Sequence, residues 1–330
     1  MNNKTCAVIL AGGEGKRMRS PLPKVLSEVL FKPMLQWVID AVLDAGIEDI
    51  CIVLGSRKNY IEKYLSIQPF KVETAYQAER LGTGHAVMMT MDFLKKHLDS
   101  KVLILNGDAP FVSSETIKEV LKTGENSVCT VLSAETDDPF GYGRIVRMDD
   151  GISLKAIVEE KEADEETRRI KEINSGVYCF DTKTLIDALG RLKKSPLTGE
   201  YYLTDTIELI QKSGEKVLVC RSSDYAAVLG ANDGIQLSQL NEIARKRVLE
   251  RHMKNGAVIP CTDGVIIGTD VEIGQNTVIL PSTVLIGSCK IGSWCRIGPG
   301  VVLKDQTIPD ASLIEPSYTV TDRTDPDTDI

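Results

Sequence analysis

A six-residue period near the carboxyl end constrains this chain more than any other feature. Ile267, Ile273, Ile279, Leu285, Ile291, Ile297 and Leu303 follow one another at six-residue intervals without a break. Two positions before each stands a small or β-branched residue: Val265, Val271, Thr277, Thr283, Cys289, Cys295 and Val301. Gly268, Gly274, Gly292 and Gly298 follow four of the aliphatics. An inward aliphatic with a small corner residue in every hexad is the pattern of a parallel β-helix, whose short units bury their apolar faces only by stacking on one another. Seven hexads make little more than two turns of a three-sided coil. The expected β-helix, residues 256–308, is therefore short and calls for capping or a partner chain.

The preceding residues follow other periods. Residues 6–10, 50–54, 102–105 and 128–132 are short, continuous apolar runs rich in Val and Ile, as strands buried on both faces require. Amphipathic patterns lie between them, at Met34 to Ala45 and Gly84 to Leu98. Alternation of this kind predicts an α/β fold with a doubly wound, mostly parallel sheet over residues 1–232, and ligands in such sheets bind beyond the carboxyl ends of the strands. Residues 233–255 read as a linker helix, with Ile235, Leu237, Leu240, Ile243, Val248 and Leu249 as its apolar positions. Residues 309–330 form a polar tail whose end, TVTDRTDPDTDI, is expected to be disordered.

Composition removes several functions. A net charge of −8 over 330 residues, with no block of Lys or Arg, gives little attraction for nucleic acid or an anionic membrane. No run of about 18 apolar residues occurs, and the apolar stretch before the first glycines is too short for a signal peptide, so a cytoplasmic protein is expected. The eight cysteines contain no C-x-x-C pair and sit mostly in apolar runs, where they read as small core residues rather than metal ligands or disulfide partners.

The first apolar run leads into Leu10-Ala11-Gly12-Gly13-Glu14-Gly15-Lys16-Arg17-Met18 and then Pro23-Lys24. A glycine turn between strand and helix lets backbone N–H groups approach a phosphate. The dinucleotide fingerprint fails at Met18, where its third glycine belongs, and the P-loop fails at Arg17, where Ser or Thr is required. What remains is a glycine loop with three cations, Lys16, Arg17 and Lys24, suited to a triphosphate; the plainer alternative is a tight turn with solvated bases. The run 102–105 ends in Asn106-Gly107-Asp108, and a carboxylate at the carboxyl end of a central strand is placed to hold Mg²⁺ against phosphate oxygens.

These residues belong to a longer series of motifs: LAGGEGKRM (10–18), PKVL (23–26), QAERLGTGHAV (77–87), NGDAP (106–110), DDPFGYGRI (137–145), IVEEKEADEETRRIKEINSGVY (157–178) and GEYYLTD (199–205). In that order the chain resembles the uridylyltransferase half of the bacterial bifunctional family that joins N-acetylglucosamine-1-phosphate uridylyltransferase to glucosamine-1-phosphate acetyltransferase. The resemblance runs from the first strand to about Leu249 and implies the Rossmann-like sugar nucleotidyltransferase fold followed by a left-handed β-helix. It assigns Leu10, Ala11, Gly12 and Gly13 to nucleotide backbone contacts, Arg17 and Lys24 to the phosphates, Gln77 to the uracil edge, and Gly82 and Thr83 to the base pocket. It further assigns Gly143, Glu159 and Asn174 to the amino sugar, and Asp108 with Asn232 to Mg²⁺. The chemistry is apt, since Gln can pair with an imide edge while Glu and Asn recognise hydroxyl and acetamido groups. The reaction implied is attack by the sugar 1-phosphate on the α-phosphorus of UTP, giving UDP-N-acetylglucosamine and pyrophosphate without a covalent intermediate.

Departures from the resemblance carry their own expectations. Gly12 replaces a usual alanine and Asn106 a usual aromatic, which opens a second reading, a pyrophosphorylase for another base or sugar such as glucose-1-phosphate. A third reading is a non-catalytic sugar-nucleotide sensor, and a fourth a hexapeptide acyltransferase. The family's acetyltransferase site lies well beyond this chain's last residue, and the last histidine, His252, precedes the hexads, so no acetyl transfer is expected. The short coil is expected to assemble a homo-oligomer, a trimer by resemblance. His85 reads as support for the base-binding loop, and His97 as a residue at a polar helix end.

Overall fold

The computed structural model describes residues 4–13, 15–149 and 153–316. The chain divides into two compact units, residues 1–29 with 33–240 and residues 30–32 with 241–330.

The apolar runs become the middle of a mixed sheet in the first unit. Across it lie Val217–Arg221, Cys129–Glu135, Glu172–Asp181, Lys101–Asn106, Thr5–Ala11, Ile50–Leu54 and Glu73–Tyr76. Along this row neighbours pair in parallel except at Glu172–Asp181, which runs antiparallel to both row neighbours and also to Arg144–Arg147, itself antiparallel to Leu154–Val158. Alternate residues feed two cores: Cys6, Val8, Val102 and Ile104 pack on one face, and Ala7, Ile9, Leu103 and Leu105 on the other. Helix Thr182–Arg191 covers the first face through Leu185, Ala188 and Leu189. Helix Met34–Asp44 covers the second through Leu35, Val38 and Ile39. Burial on both faces is why these strands read as unbroken apolar runs.

One local expectation is corrected and one strand was missed. The pattern from Gly84 to Leu98 is two helices, Thr83–Met88 and Met91–Lys96, because Thr90 closes the first by bonding back to the Val87 carbonyl through both its N–H and its hydroxyl. The strand Glu172–Asp181 was not legible, since Asn174, Ser175 and Gly176 interrupt its apolar residues and the pairing slips between Asn174 and Tyr178. The eight cysteines are all free, and burial pushes the Cys6 and Cys51 thiols up to about 12. No helix among the described residues is long and apolar enough to cross a membrane.

The second unit contains three parallel three-stranded sheets. Ile267 stacks on Leu285 and Leu303, Ile273 on Ile291 and Ile308, and Ile279 on Ile297 and Ile314. The predicted small positions are buried throughout. Among the described residues the coil runs past residue 308, to the strand Leu313–Ile314, and makes three turns rather than little more than two. The six-residue period loses one residue between Leu303 and Ile308, which hid the last two rungs. Of the polar tail, residues 317–330 lie outside the described residues.

Corners of the coil use left-handed backbone. Asn276, Ser282, Trp294, Asp305 and Ala311 have φ between 52° and 61° there, and Gly264 and Gly300 have φ of 65° and 68°. Trp294 follows Asn276 by one turn, donates its N–H to the Gln275 carbonyl, and leaves its side chain 69% exposed. A large side chain in this region costs about 1–2 kcal/mol, whereas Asn is tolerated. Trp294→Asn is expected to stabilise the unit by about 1 kcal/mol. Thermal unfolding of the whole chain checks it, and a lower melting temperature would show that the indole is held by contacts worth more than the strain.

Candidate active site

The site grows from the paired carboxyl ends of Thr5–Ala11 and Lys101–Asn106. Leu10 is in register with Asn106, and the Gly107 N–H bonds to the Leu10 carbonyl at 2.9 Å. A Cβ at Gly107 would lie 3.1 Å from that oxygen, so glycine permits the close approach that aims Asp108 over the strand end. On the other strand the chain leaves through Gly12 and Gly13 to Gly15, whose φ is +62°. A Cβ on Gly15 would sit 2.7 Å from the Lys24 Cβ. The glycine loop thus folds against the stem of Lys24, which begins a short 3-10 turn with its side chain largely buried.

Lys24 is the meeting point. Its ammonium donates to Asn232 Oδ1 at 2.8 Å and pairs with the Asp108 carboxylate. Asn232 comes from 208 residues further along the chain, and a Cβ on its neighbour Gly230 would lie 3.0 Å from the Asp108 carbonyl oxygen. Two hard oxygen donors therefore converge on one position that a cation fills. That donor set fits a divalent ion such as Mg²⁺, which takes one or two protein oxygens and completes its shell with phosphate and water. No cluster of three or more His, Cys, Asp or Glu exists among the described residues to form an all-protein metal cage.

Two adjoining cavities share this centre, both being lined by Leu10, Lys24, Thr83, Asn106, Asp108 and Asn232. One extends over Gly12, Gly13, Arg17, Gln77 and Gly82 and brings the cations Arg17 and Arg80 to its wall. The other extends over Gly143, Glu159 and Asn174. Of the residues that the resemblance assigns to substrate or metal, Ala11 lines neither, because its methyl packs into the core under the sheet. Tyr142 and Arg80 were not singled out as site residues and line these cavities, only their place in the motifs signalling them; Asn106, noted as a departure that bears on substrate choice, lines both.

Each polar group in the second cavity is held from behind. Asn174 donates to the Tyr178 hydroxyl at 2.6 Å, and its backbone N–H bonds to the Gly143 carbonyl at 2.8 Å. Glu159 accepts from the Thr204 hydroxyl at 3.0 Å, while burial pushes its carboxyl above the usual range. In the first cavity the Gln77 amide nitrogen donates to the Gly82 carbonyl at 3.0 Å and lies 3.1 Å from His85 Nδ1. Thr83 Oγ1 accepts from the Leu203 N–H at 3.0 Å. In the His85 tautomer whose Nδ1 accepts, both amide protons of Gln77 have partners, and only Oε1 is left to meet an imide edge.

Comparison with known proteins gives the family. The family model described as nucleotidyl transferase matches residues 6–262. The chain belongs to the nucleotidyl transferase family. A second model, bacterial transferase hexapeptide (six repeats), matches residues 270–305. The chain is 44% identical over 306 residues to the bifunctional protein GlmU of Caldanaerobacter subterraneus subsp. tengcongensis, covering 92% of this chain and 65% of that protein. It is 43% identical over 326 residues to bifunctional protein GlmU of Acetivibrio thermocellus, covering 98% of this chain and 70% of that one. The chain thus spans about two thirds of the length of these relatives. A crystal structure of a putative glucose-1-phosphate thymidylyltransferase from Bacillus anthracis shares the fold, with a TM-score of 0.61 at 22% identity over 73% of this chain and 95% of that one.

Beside Glu159, at the start of helix Asp205–Lys212, burial and the nearby Glu162 and Glu208 push the Asp205 carboxyl from 3.8 up to about 6. The folded state therefore holds this proton more tightly than the unfolded state, and Asp205 subtracts stability as pH rises from about 4 to about 6. Asp205→Asn removes that loss. Urea unfolding is expected to give the variant its largest advantage above pH 6.5 and little at pH 3.5; an advantage independent of pH would contradict the assignment.

Proposed function

We propose that the chain is a divalent-metal-dependent uridylyltransferase that joins UTP to N-acetylglucosamine-1-phosphate and releases pyrophosphate. The observation that carries the proposal is the placement of Lys24, Asp108 and Asn232 at the junction of a cationic cavity and a carboxylate-bearing one. A nucleoside triphosphate suits the first, which offers backbone at Gly12 and Gly13 and the cations Arg17 and Lys24. A neutral amino sugar suits the second, where Glu159 accepts from hydroxyls and Asn174 faces the acetamido group.

The reacting phosphates then meet over Asp108. Mg²⁺ held by Asp108 and Asn232 would supply charge neutralisation at the phosphates. The protein aligns an oxygen of the sugar phosphate with the α-phosphorus and the bond to the leaving pyrophosphate, which replaces an unfavourable encounter of two anions with a held geometry. Lys24 and Arg17 carry the charge that grows on the leaving group. No side-chain nucleophile is required. The same arrangement would serve another pyrimidine nucleotide or sugar 1-phosphate, and Gly12 is the observation that favours keeping this reading, since a Cβ there would come 3.2 Å from Gln77 Oε1 and narrow the base pocket.

Purified protein with Mg²⁺, UTP and N-acetylglucosamine-1-phosphate is expected to release pyrophosphate, and more slowly with glucose-1-phosphate or other triphosphates. Asp108→Ala and Lys24→Ala are each expected to lower turnover about a hundredfold or more while remaining folded. Silence across the substrate panel with sugar nucleotide still bound would point instead to a sensor. Acetyl transfer from acetyl-CoA is not expected, because the three histidines precede the hexads and burial with the Arg251 charge lowers His252 to about 4.

The β-helix is proposed to join copies of the chain, as a trimer. One of its sheets carries Ile266, Val284 and Val302 in register on its outer face, with Val302 66% exposed. Another carries Glu272, Lys290 and Thr307 in the equivalent positions. An aliphatic row on one sheet and a polar row on another favour association through a defined face. Light scattering should return three times the mass of the chain, and a monomeric mass would exclude the trimer.

A further inference from the structure

Gln77 follows the edge strand Glu73–Tyr76 and is 5% exposed, so its amide groups depend on the partners the fold gives them. Its nitrogen faces two acceptors, the Gly82 carbonyl at 3.0 Å and His85 Nδ1 at 3.1 Å. A primary amide has two N–H bonds, and both are spent. The reverse orientation would set Oε1 against the Gly82 carbonyl oxygen, acceptor against acceptor. Oε1 is left as the group nearest the space beside Gly12, where a Cβ would come within 3.2 Å of it.

The two acceptors are themselves fixed. Gly82 has φ +98°, and a Cβ there would lie 2.4 Å from the Tyr201 carbonyl oxygen, so that stretch of backbone is clamped. Tyr201 donates its N–H to Leu81 at 2.7 Å and accepts from the Gly84 N–H at 2.8 Å. The His85 ring stacks on the Tyr201 ring, with centroids 6.3 Å apart and planes inclined by 22°. With Nδ1 accepting, the ring proton of neutral His85 resides on Nε2.

We infer that His85 is a positioning residue for base choice: by accepting from Gln77 it leaves that amide presenting only an acceptor to the nucleotide cavity. This rests on the nucleotidyl transfer reading and adds a basis for selection to it. An acceptor-only wall favours a pyrimidine with a ring N–H, as in an imide. It opposes cytosine, whose N3 carries a lone pair, and a buried pair of acceptors without a proton is costly. Without Nδ1, one of the two contacts that fix the amide is lost and the Gly82 carbonyl alone opposes its reversal, so the reversed amide, which offers an N–H to cytosine N3 and a donor to the imide N–H, becomes less unfavourable.

The test is equilibrium binding of UTP and CTP, with pyrophosphate release measured beside it, for the wild type, His85→Phe and His85→Gln. Phe keeps a ring on Tyr201 but removes the acceptor; Gln restores an acceptor. The wild type is expected to prefer UTP by a hundredfold or more, the Phe variant to lose at least tenfold of that preference, and the Gln variant to recover most of it. A purely structural role would weaken both nucleotides equally, and an unchanged UTP to CTP ratio in His85→Phe would overturn the inference, as would a wild type that binds CTP as well as UTP. Should the Phe variant not fold, His85→Leu takes its place in the same comparison. Failure of the wild type to bind either nucleotide would overturn the nucleotidyl transfer reading and the inference with it, whereas binding and turnover with an unmoved ratio would overturn the inference alone.

Discussion

Much of the first unit is arranged around one buried ammonium. Asp108 and Asn232 bring a carboxylate and an amide oxygen to one point, and removing them from water without a cation would be costly. Lys24 meets both, and its side chain is only 10% exposed. Three glycines exist in service of this contact. Gly15 makes room for the Lys24 stem, Gly107 brings the Asp108 strand end against Leu10, and Gly230 lets the Asn232 segment pass the Asp108 backbone. A larger residue at any of them would separate the charges before it altered anything else.

The same point divides the substrates. On one side backbone amides and cations suit phosphate; on the other, carboxylate and amide groups suit a polyol. On the proposed reading the sugar side carries Glu159, with Glu162 and Asp205 close to it, and these carboxylates would repel a second triphosphate without repelling a sugar ring. Charge would then set substrate orientation before any hydrogen bond is read. Thr204 and Tyr178, which hold Glu159 and Asn174, convert that coarse preference into fixed positions.

Legibility in the sequence followed the physics of each element. Thr5–Ala11 and Lys101–Asn106 were legible because burial on both faces leaves no polar position to blur the run. Glu172–Asp181 was not, because the same residues that serve the site, Asn174 to Gly176, break its apolar pattern. Hexads to Leu303 were plain, but one missing residue before Ile308 concealed the last two strands of the coil. Among site residues, spacing alone supported Lys24 and Asp108, and the resemblance supplied Glu159, Asn174 and Asn232. Neither could supply the direction of the Gln77 amide, which depends on His85, Gly82 and Tyr201 meeting through contacts that no local pattern encodes.

The two units use glycine for different ends, and this bears on how each can change. In the first, Gly15, Gly82 and Gly107 are fixed by the distance of another backbone or side chain, so substitution there moves functional groups. In the coil, left-handed corners are filled by Asn, Ser, Trp, Asp and Ala as well as by Gly, and the strain is borne because the rungs above and below hold the corner in place. Stacking of Ile267, Leu285 and Leu303 and their counterparts then offsets a cost spread over many corners. Stacking buries aliphatics only between turns, so the outer row of Ile266, Val284 and Val302 takes no part in it and, on the proposed reading, offers the face through which copies of the chain associate.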